Sequence, residues 1–421
     1  MVKNTKKNKK LKRNIKKEKE RKKTQRVFNG GKAINSGSYG CIFKPALKCK
    51  NNQSLKNTNK KNLISKLMDN EDAIIEYENI LNVQSHIKQI PNNDDYFLVN
   101  DITMCVPDKL SNSDLYMVDN VCNDIVKYNG YDKTNINNNI HNFKIINMPY
   151  GGITLNKLWE QMVMIEDIED IENRFIKVNR LLIKLLENGI IPLNKSGMYH
   201  MDIKDENIII SDDIKYARLI DWGLSQKINN NIIPSRFIQE FQFNLPFTNI
   251  LLNLNIINLI KQSLNNEKIK KKSLLNMKMI VKNIITKLKN NGHYMSILYY
   301  IIIIYYPNKV NKLNNPEYIK FAVDIMCNYI ATAIIYYTDV SGEFQLIKYC
   351  REVYLHNVDV WGFIISYLYS IIYTIELPIY KAKFIKSVSD IIINYCFNSK
   401  YAISPIPVDK VINDLRKITI R

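Results

Sequence analysis

The chain has no Cys-x-x-Cys pair, no apolar core behind its basic N-terminus, and no aromatic side chain before Phe28. The first absence argues against a structural zinc site. Its seven cysteines (Cys41, Cys49, Cys105, Cys122, Cys327, Cys350 and Cys396) are odd in number and widely spaced, so they also read against a disulfide framework. Seven reduced thiols in a cytoplasmic setting are expected. The second absence excludes a secretory signal of the usual form. The third bears on residues 1 to 27, where basic side chains have no aromatic partners. Long apolar runs are also scarce. SILYYIIIIYY, at Ser296 to Tyr306, is too short for the roughly 20 residues that cross a bilayer. A buried helix or strand is expected there, and no membrane span.

Residues 1 to 26 carry fourteen Lys or Arg against Glu18 and Glu20, a net of +12 out of +20 for the whole chain. Residues 1 to 27 lack the apolar side chains that offset ordering entropy and read as a disordered tail. Such a tail suits a localisation signal or a grip on an acidic partner such as nucleic acid phosphates, and equally a merely solubilising leader. The remaining residues are long enough for two or three domains. A 46% hydrophobic content means that most of that length folds.

The organising stretch is Tyr199 to Gly223, YHMDIKDENIIISDDIKYARLIDWG. Two short apolar runs, ending at Ile210 and Ile220, flank a polar turn and predict a strand pair. That pair would hold Asp202, Lys204 and Asn207 beside Asp221. A phosphoryl transfer needs a carboxylate to orient the attacking hydroxyl and a cation on the moving group. It also needs a carboxylate and an amide to hold Mg²⁺. Asp202, Lys204, Asp221 and Asn207 are of those four types.

Further signals lie on either side. Ile34-Asn35-Ser36-Gly37-Ser38-Tyr39-Gly40-Cys41-Ile42 is a glycine-bearing turn, where glycine admits close backbone approach. Asn62 to Met68 reads as a strand carrying Lys66 inside an apolar run. A helix starts near Asp69 to Asp72, repeats through Ile74, Tyr77, Leu81 and Ile87, and stops by Pro91. It presents Glu76 or Glu78 to Lys66. Residues 92 to 142 are poorly patterned. Phe143 to Gly152 looks like a strand entering a connection. Asn173 to Asn188 repeats apolar residues at helical spacing, with Gly189 as its expected stop.

HMDIKDEN with DWG resembles the eukaryotic-type protein kinases, whose signature pairs H-R-D-L-x-x-x-N with D-F-G. The 19 residues from Asp202 to Asp221 are close to the family spacing, and Lys204 is the serine/threonine form. The resemblance implies an α+β, two-lobed kinase-like fold. Its small antiparallel β-rich lobe would span residues 28–149, with a polar insertion. Its large, mostly helical lobe would span residues 150–421, with a helical insertion near 245–350. It implies transfer of the ATP γ-phosphoryl to Ser or Thr hydroxyls of a protein substrate, with ATP and Mg²⁺ as cofactors. Asp202 and Lys204 would be catalytic, and Asn207 and Asp221 the metal ligands. Residues 34 to 42, Lys66, Glu76 and the connection residue Met148 would bind the nucleotide, with Ile146 behind the adenine. Asp359, opening an apolar helix that ends near Leu377, would hydrogen-bond the backbone of the catalytic loop.

Departures accompany the match. Met201 replaces the family Arg, Trp222 the Phe, and Asn35 the first Gly, and no A-P-E follows. With the heavy use of Asn, Ile, Lys and Tyr, this combination resembles the kinases of large cytoplasmic DNA viruses, which implies the host cytoplasm or a virion. The same departures suit a catalytically weak scaffold, or a kinase of something other than protein. Asn244-Leu245-Pro246-Phe247 has no role legible from sequence.

Overall fold

Five antiparallel strands open the described chain, in the order β1-β2-β3-β5-β4. They are β1 (Lys32–Gly37), β2 (Gly40–Lys44), β3 (Leu63–Asp69), β4 (Thr103–Cys105) and β5 (Phe143–Pro149). This computed structural model describes residues 31–37, 40–50, 62–122, 125–126, 130–162, 164–165, 167–228, 241–263, 273–289, 292–375 and 382–419. The basic tail, Ser38 and Tyr39 lie outside the described residues. The fold is α+β, a small antiparallel sheet followed by a helical C-terminal part. The chain divides into two units, residues up to Ala73 with Ile102–Tyr150, and Ile74–Asp101 with Gly151–Arg421.

In the first unit β3 is buried on both faces, which its sequence LISKLMD allows because apolar pairs on either side of Ser65-Lys66 supply both faces. Directly opposed residues of antiparallel strands share a face. Ile42, Lys66 and Ile146 are opposed in turn, as are Ile64 and Met148, so these five side chains share one face. The other face carries Cys41, Phe43, Ser65, Leu67, Ile145 and Asn147. There Cys41, Phe43, Leu67 and Ile145 join Leu110, Val118, Cys122 and Ile136 in one apolar core. The poorly patterned stretch is therefore a cover for the sheet. It also supplies β4, which its sequence did not announce.

Four of the seven cysteines expected to be reduced are paired in disulfides. Cys41 is bonded to Cys122 and Cys49 to Cys105, with Cα atoms 5.1 and 5.9 Å apart. Only Cys327, Cys350 and Cys396 are free, and all three are buried. The bonded partners are 81 and 56 residues apart in sequence, and spacing says nothing about that proximity. Closing loops of this length stabilises the fold by roughly 4 kcal/mol each in the chain-entropy account. Asn147 Nδ2 points at both Cys49 Sγ and Cys105 Sγ, 3.5 and 3.7 Å away.

Helix α1 (Asn70–Ile87) starts in the first unit, with the Glu71 N–H capped by Asp69 Oδ1 at 3.1 Å, and belongs to the second from Ile74 onward. β6 (Ile153–Thr154), β8 (Ile208–Ile210) and β9 (Ala217–Leu219) form a three-stranded sheet, and β7 (Met198–Tyr199) pairs with β10 (Gln226–Lys227). Helix α2 (Leu155–Met162) precedes α3 (Ile168–Lys184). Gly189 does not stop α3 as expected. The helix widens to π geometry over Leu185–Ile190 and continues as Ile191–Lys195. Pro192 stands in that last stretch, directly after the π turn. Gly189 is there for proximity, since a Cβ would stand 2.9 Å from Tyr96 Cβ.

The helices α4 (Leu254–Ser263), α5 (Leu274–Lys287), α6 (Tyr294–Tyr305) and α7 (Pro316–Tyr336) follow. SILYYIIIIYY is thus a helix, its isoleucines buried. Then come α8 (Leu355–Ile365), α9 (Leu368–Ile375), α10 (Ala382–Tyr395) and α11 (Val408–Arg416). The apolar helix expected to end near Leu377 is broken at Ser366, whose hydroxyl turns back to Phe363 O at 2.6 Å. Two helical stretches, Pro316–Tyr336 and Leu346–Ile375, are long and apolar enough to cross a membrane by length and composition. The second has 78% of its apolar window buried inside the fold, as a core helix does; the first has 50%.

Candidate active site

The β8–β9 register sets the centre of the site in the second unit. Ile208 opposes Leu219, and the Ile220 N–H donates to Asn207 O at 3.0 Å. The residue after Ile220 is Asp221, so strand pairing brings the ends of two chain segments together. His200 braces the same junction. Its Nε2 donates to Ile220 O at 2.9 Å and its Nδ1 accepts from the Asp202 N–H at 3.3 Å, which a single tautomer satisfies. The His200 ring packs on Trp222, with centroids 4.7 Å apart. Trp222 is buried, and it also meets Phe97.

Asp359 does what the resemblance implied. Its two carboxylate oxygens accept the consecutive N–H groups of His200 and Met201 at 2.9 and 2.8 Å. Burial raises its pKa, against the opposing pull of His200 and of those N–H donors. Between these two N–H groups and Asp202 the backbone turns left-handed, with Met201 at φ 65°. That conformation costs a residue with a Cβ about 1–2 kcal/mol, and it persists only where its surroundings over-determine it.

Asp202 is 8% exposed and engaged at both oxygens. Asn207 Nδ2 donates to Asp202 Oδ2 at 2.9 Å and to Asp202 O at 2.8 Å. Lys204 Nζ lies 3.2 Å from Oδ2 and 3.9 Å from Glu206 Oε2. Asn244 Nδ2 donates to Oδ1 at 2.8 Å. Burial works against the Lys204 ammonium, but the charges of Asp202, Glu206 and Asp221 outweigh it, and the Lys204 pKa rises. Asp202 and Asp221 therefore act on one cation.

Asp221 is itself left-handed, with φ 64°. A Cβ built on Gly223 would stand 3.8 Å from Asp221 Oδ1 and 3.8 Å from Glu76 Oε2. Asn79, one turn further along α1 than Glu76, donates to Gly223 O at 2.9 Å. Glu76 is 3% exposed whereas Glu78 is exposed, so Glu76 is the one that faces inward beside the D-W-G turn. The Asp221 carboxylate and the Asn207 amide are the oxygen donors that would hold a divalent cation here. Asn207 spends its Nδ2 on Asp202, and its Oδ1 takes no part in those bonds. An oxygen pair of this kind suits Mg²⁺, which keeps waters and phosphates as its other ligands. Among the described residues no group of three or more His, Cys, Asp or Glu stands at metal-holding distance.

The remaining expected residues lie in the first unit. Lys66 is 5% exposed, so its charge must be answered within the fold. Ile42 and Met148 share its face, as the register requires. Ile34 and Asn35 are exposed on β1, Gly40 is buried with a would-be Cβ 2.5 Å from Leu67 O, and Cys41 lies on the opposite face in its disulfide. Cys41 thus contributes backbone at most to any ligand. Asn244 was missed. It lies 42 residues beyond Asp202, in a stretch with no period or motif to flag it. No protein-family model matches the chain, and no curated protein does either.

Proposed function

We propose that the chain transfers the γ-phosphoryl group of ATP to serine or threonine hydroxyls of proteins. The observation that carries this reading is the placing of Lys204 and Asn207 around the Asp202 carboxylate, with the charge of Asp221 acting on the same lysine. Asp202 orients the substrate hydroxyl and accepts its proton. Lys204 steadies the transferring group. Asn207 and Asp221 would hold Mg²⁺, which with ATP supplies the electrophilic phosphorus and neutralises charge on its oxygens. In the first unit, Lys66 and the Gly37–Gly40 turn would take the phosphates. Ile42, Ile146 and Met148 offer the apolar surface that a purine needs.

Two measurements test the proposal. A ligand that binds only the folded state raises stability by RT ln(1 + [L]/Kd). ATP should therefore raise the melting temperature with Mg²⁺ present and much less with EDTA, and Asp221→Ala should abolish most of that rise. Label from γ-labelled ATP should then appear on Ser or Thr of the chain itself or of an added protein. A shift without transfer would identify a nucleotide-binding scaffold. Label confined to lipid or a small molecule would leave the chemistry but change the acceptor.

A further inference from the structure

The segment from Phe241 to Leu252, an irregular stretch running into a short 3₁₀ helix at Phe247–Leu252, is buried almost throughout. Buried loops are uncommon because their polar groups must be answered without water. Here the answers come from the C-terminal helices. Trp361 Nε1 donates to Phe243 O at 3.0 Å, the Tyr349 hydroxyl to Thr248 Oγ1 at 2.5 Å, and the Tyr354 hydroxyl to Asn249 Oδ1 at 2.6 Å. The Phe247 ring stacks on Phe397 and meets Trp361 edge-on, with centroids 5.5 and 5.1 Å apart. Gly362 of α8 lies under the same segment, its would-be Cβ 3.1 Å from Asn244 O. The loop is held at several points, and one of its side chains bonds Asp202.

That side chain is Asn244, 8% exposed, whose Nδ2 donates to Asp202 Oδ1 at 2.8 Å and lies 3.3 Å from Ile203 O. Asn207 and Lys204 both hold the other oxygen, Oδ2. A carboxylate gripped at one oxygen can still swing about its broad terminal torsion. A donor on the second oxygen fixes its plane. We propose that Asn244 is a positioning residue for the phosphoryl transfer: it sets the orientation of the Asp202 carboxylate, and through it the packing of the Phe241–Leu252 segment governs turnover. This rests on the phosphotransferase reading above. A purely architectural Asn244 would do no more than answer Ile203 O.

The test uses the full-length chain and compares wild type with Asn244→Ala and Asn244→Asp. Asn244→Ala should lower kcat about 10- to 100-fold, the scale of a catalytic group displaced by about an ångström. KM for ATP and the Mg-ATP thermal shift should change less than about threefold, because no nucleotide-binding group is touched. Asn244→Asp preserves shape but removes the donor at neutral pH. Two carboxyls sharing a site raise the pKa of one of them. The introduced carboxyl, facing Asp202 and Lys204, should regain its proton as pH falls and then donate again. Asn244→Asp should thus recover activity relative to wild type at lower pH, whereas Asn244→Ala should not. The inference is overturned if Asn244→Ala keeps kcat within twofold. It is equally overturned if kcat and the Mg-ATP shift fall together, or if the pH profile of Asn244→Asp parallels that of wild type. Should Asn244→Ala fail to fold, the Asn244→Asp profile decides alone. A wild type without transfer activity overturns both readings; an active wild type with an indifferent Asn244 overturns only this one.

Discussion

Gly362 has no room for a side chain: a Cβ there would stand 2.4 Å from Ile203 O, the carbonyl of the residue after Asp202. Gly362→Ala must push α8 or the loop aside. It should cost about 1–3 kcal/mol in urea unfolding, as overpacking does, and should lower transfer more than it lowers ATP binding. Asp359→Ala acts one turn earlier on the same helix. It leaves the buried His200 and Met201 N–H groups without their acceptor, at about 1–3 kcal/mol for each unsatisfied group. Chemical denaturation should show that loss, and restored stability in the alanine variant would contradict the role given to Asp359. At this scale the sequence was informative wherever a residue type has one obvious task. The resemblance pointed to Asp202, Lys204, Asn207 and Asp221 as neighbours and to Asp359 as a partner of the loop backbone, and those proximities are what the fold contains. Asn244 was not legible, because an asparagine in an aperiodic stretch has no chemistry until a fold places it beside a carboxylate.

Among the elements, periodicity told what packs but not where a helix ends. The β8–β9 pair and helix α3 were both expected, yet Gly189 failed as a stop because close approach to Tyr96, and not a left-handed turn, is what requires glycine there. The cover of the sheet was illegible for a different reason. Its apolar residues are sparse and irregularly spaced, and two disulfides fasten it. Those bridges can be counted. The denatured, unreduced chain should offer three reactive thiols (Cys327, Cys350 and Cys396) and the reduced chain all seven. Seven before reduction would return the protein to the reduced state that cysteine spacing suggested. If the bridges are present, reducing them should lower the melting temperature of the first unit, since the loops they close regain their entropy in the unfolded chain.

For the whole molecule, burial of weakly acidic groups predicts alkaline fragility. Burial pushes the thiols of Cys327 and Cys350 up to about 12 from an ordinary value near 9. Between those limits the unfolded chain loses protons that the folded chain keeps, so stability present below pH 9 is lost as pH rises towards 12. Buried tyrosines such as Tyr329, Tyr354 and Tyr367 shift in the same direction and add to the effect. Thermal unfolding midpoints should accordingly fall above pH 9, and a flat profile from pH 8 to 11 would count against this burial. The central claim concerns the one carboxylate that Asn207, Lys204 and Asn244 surround. It is tested most directly by the initial rate of labelled phosphoryl transfer from ATP in Mg²⁺, measured for wild type and Asp202→Asn at equal Mg-ATP occupancy. The account predicts a fall of about 10²- to 10⁴-fold, the usual contribution of a positioned general base. Equal rates for the two chains would contradict it.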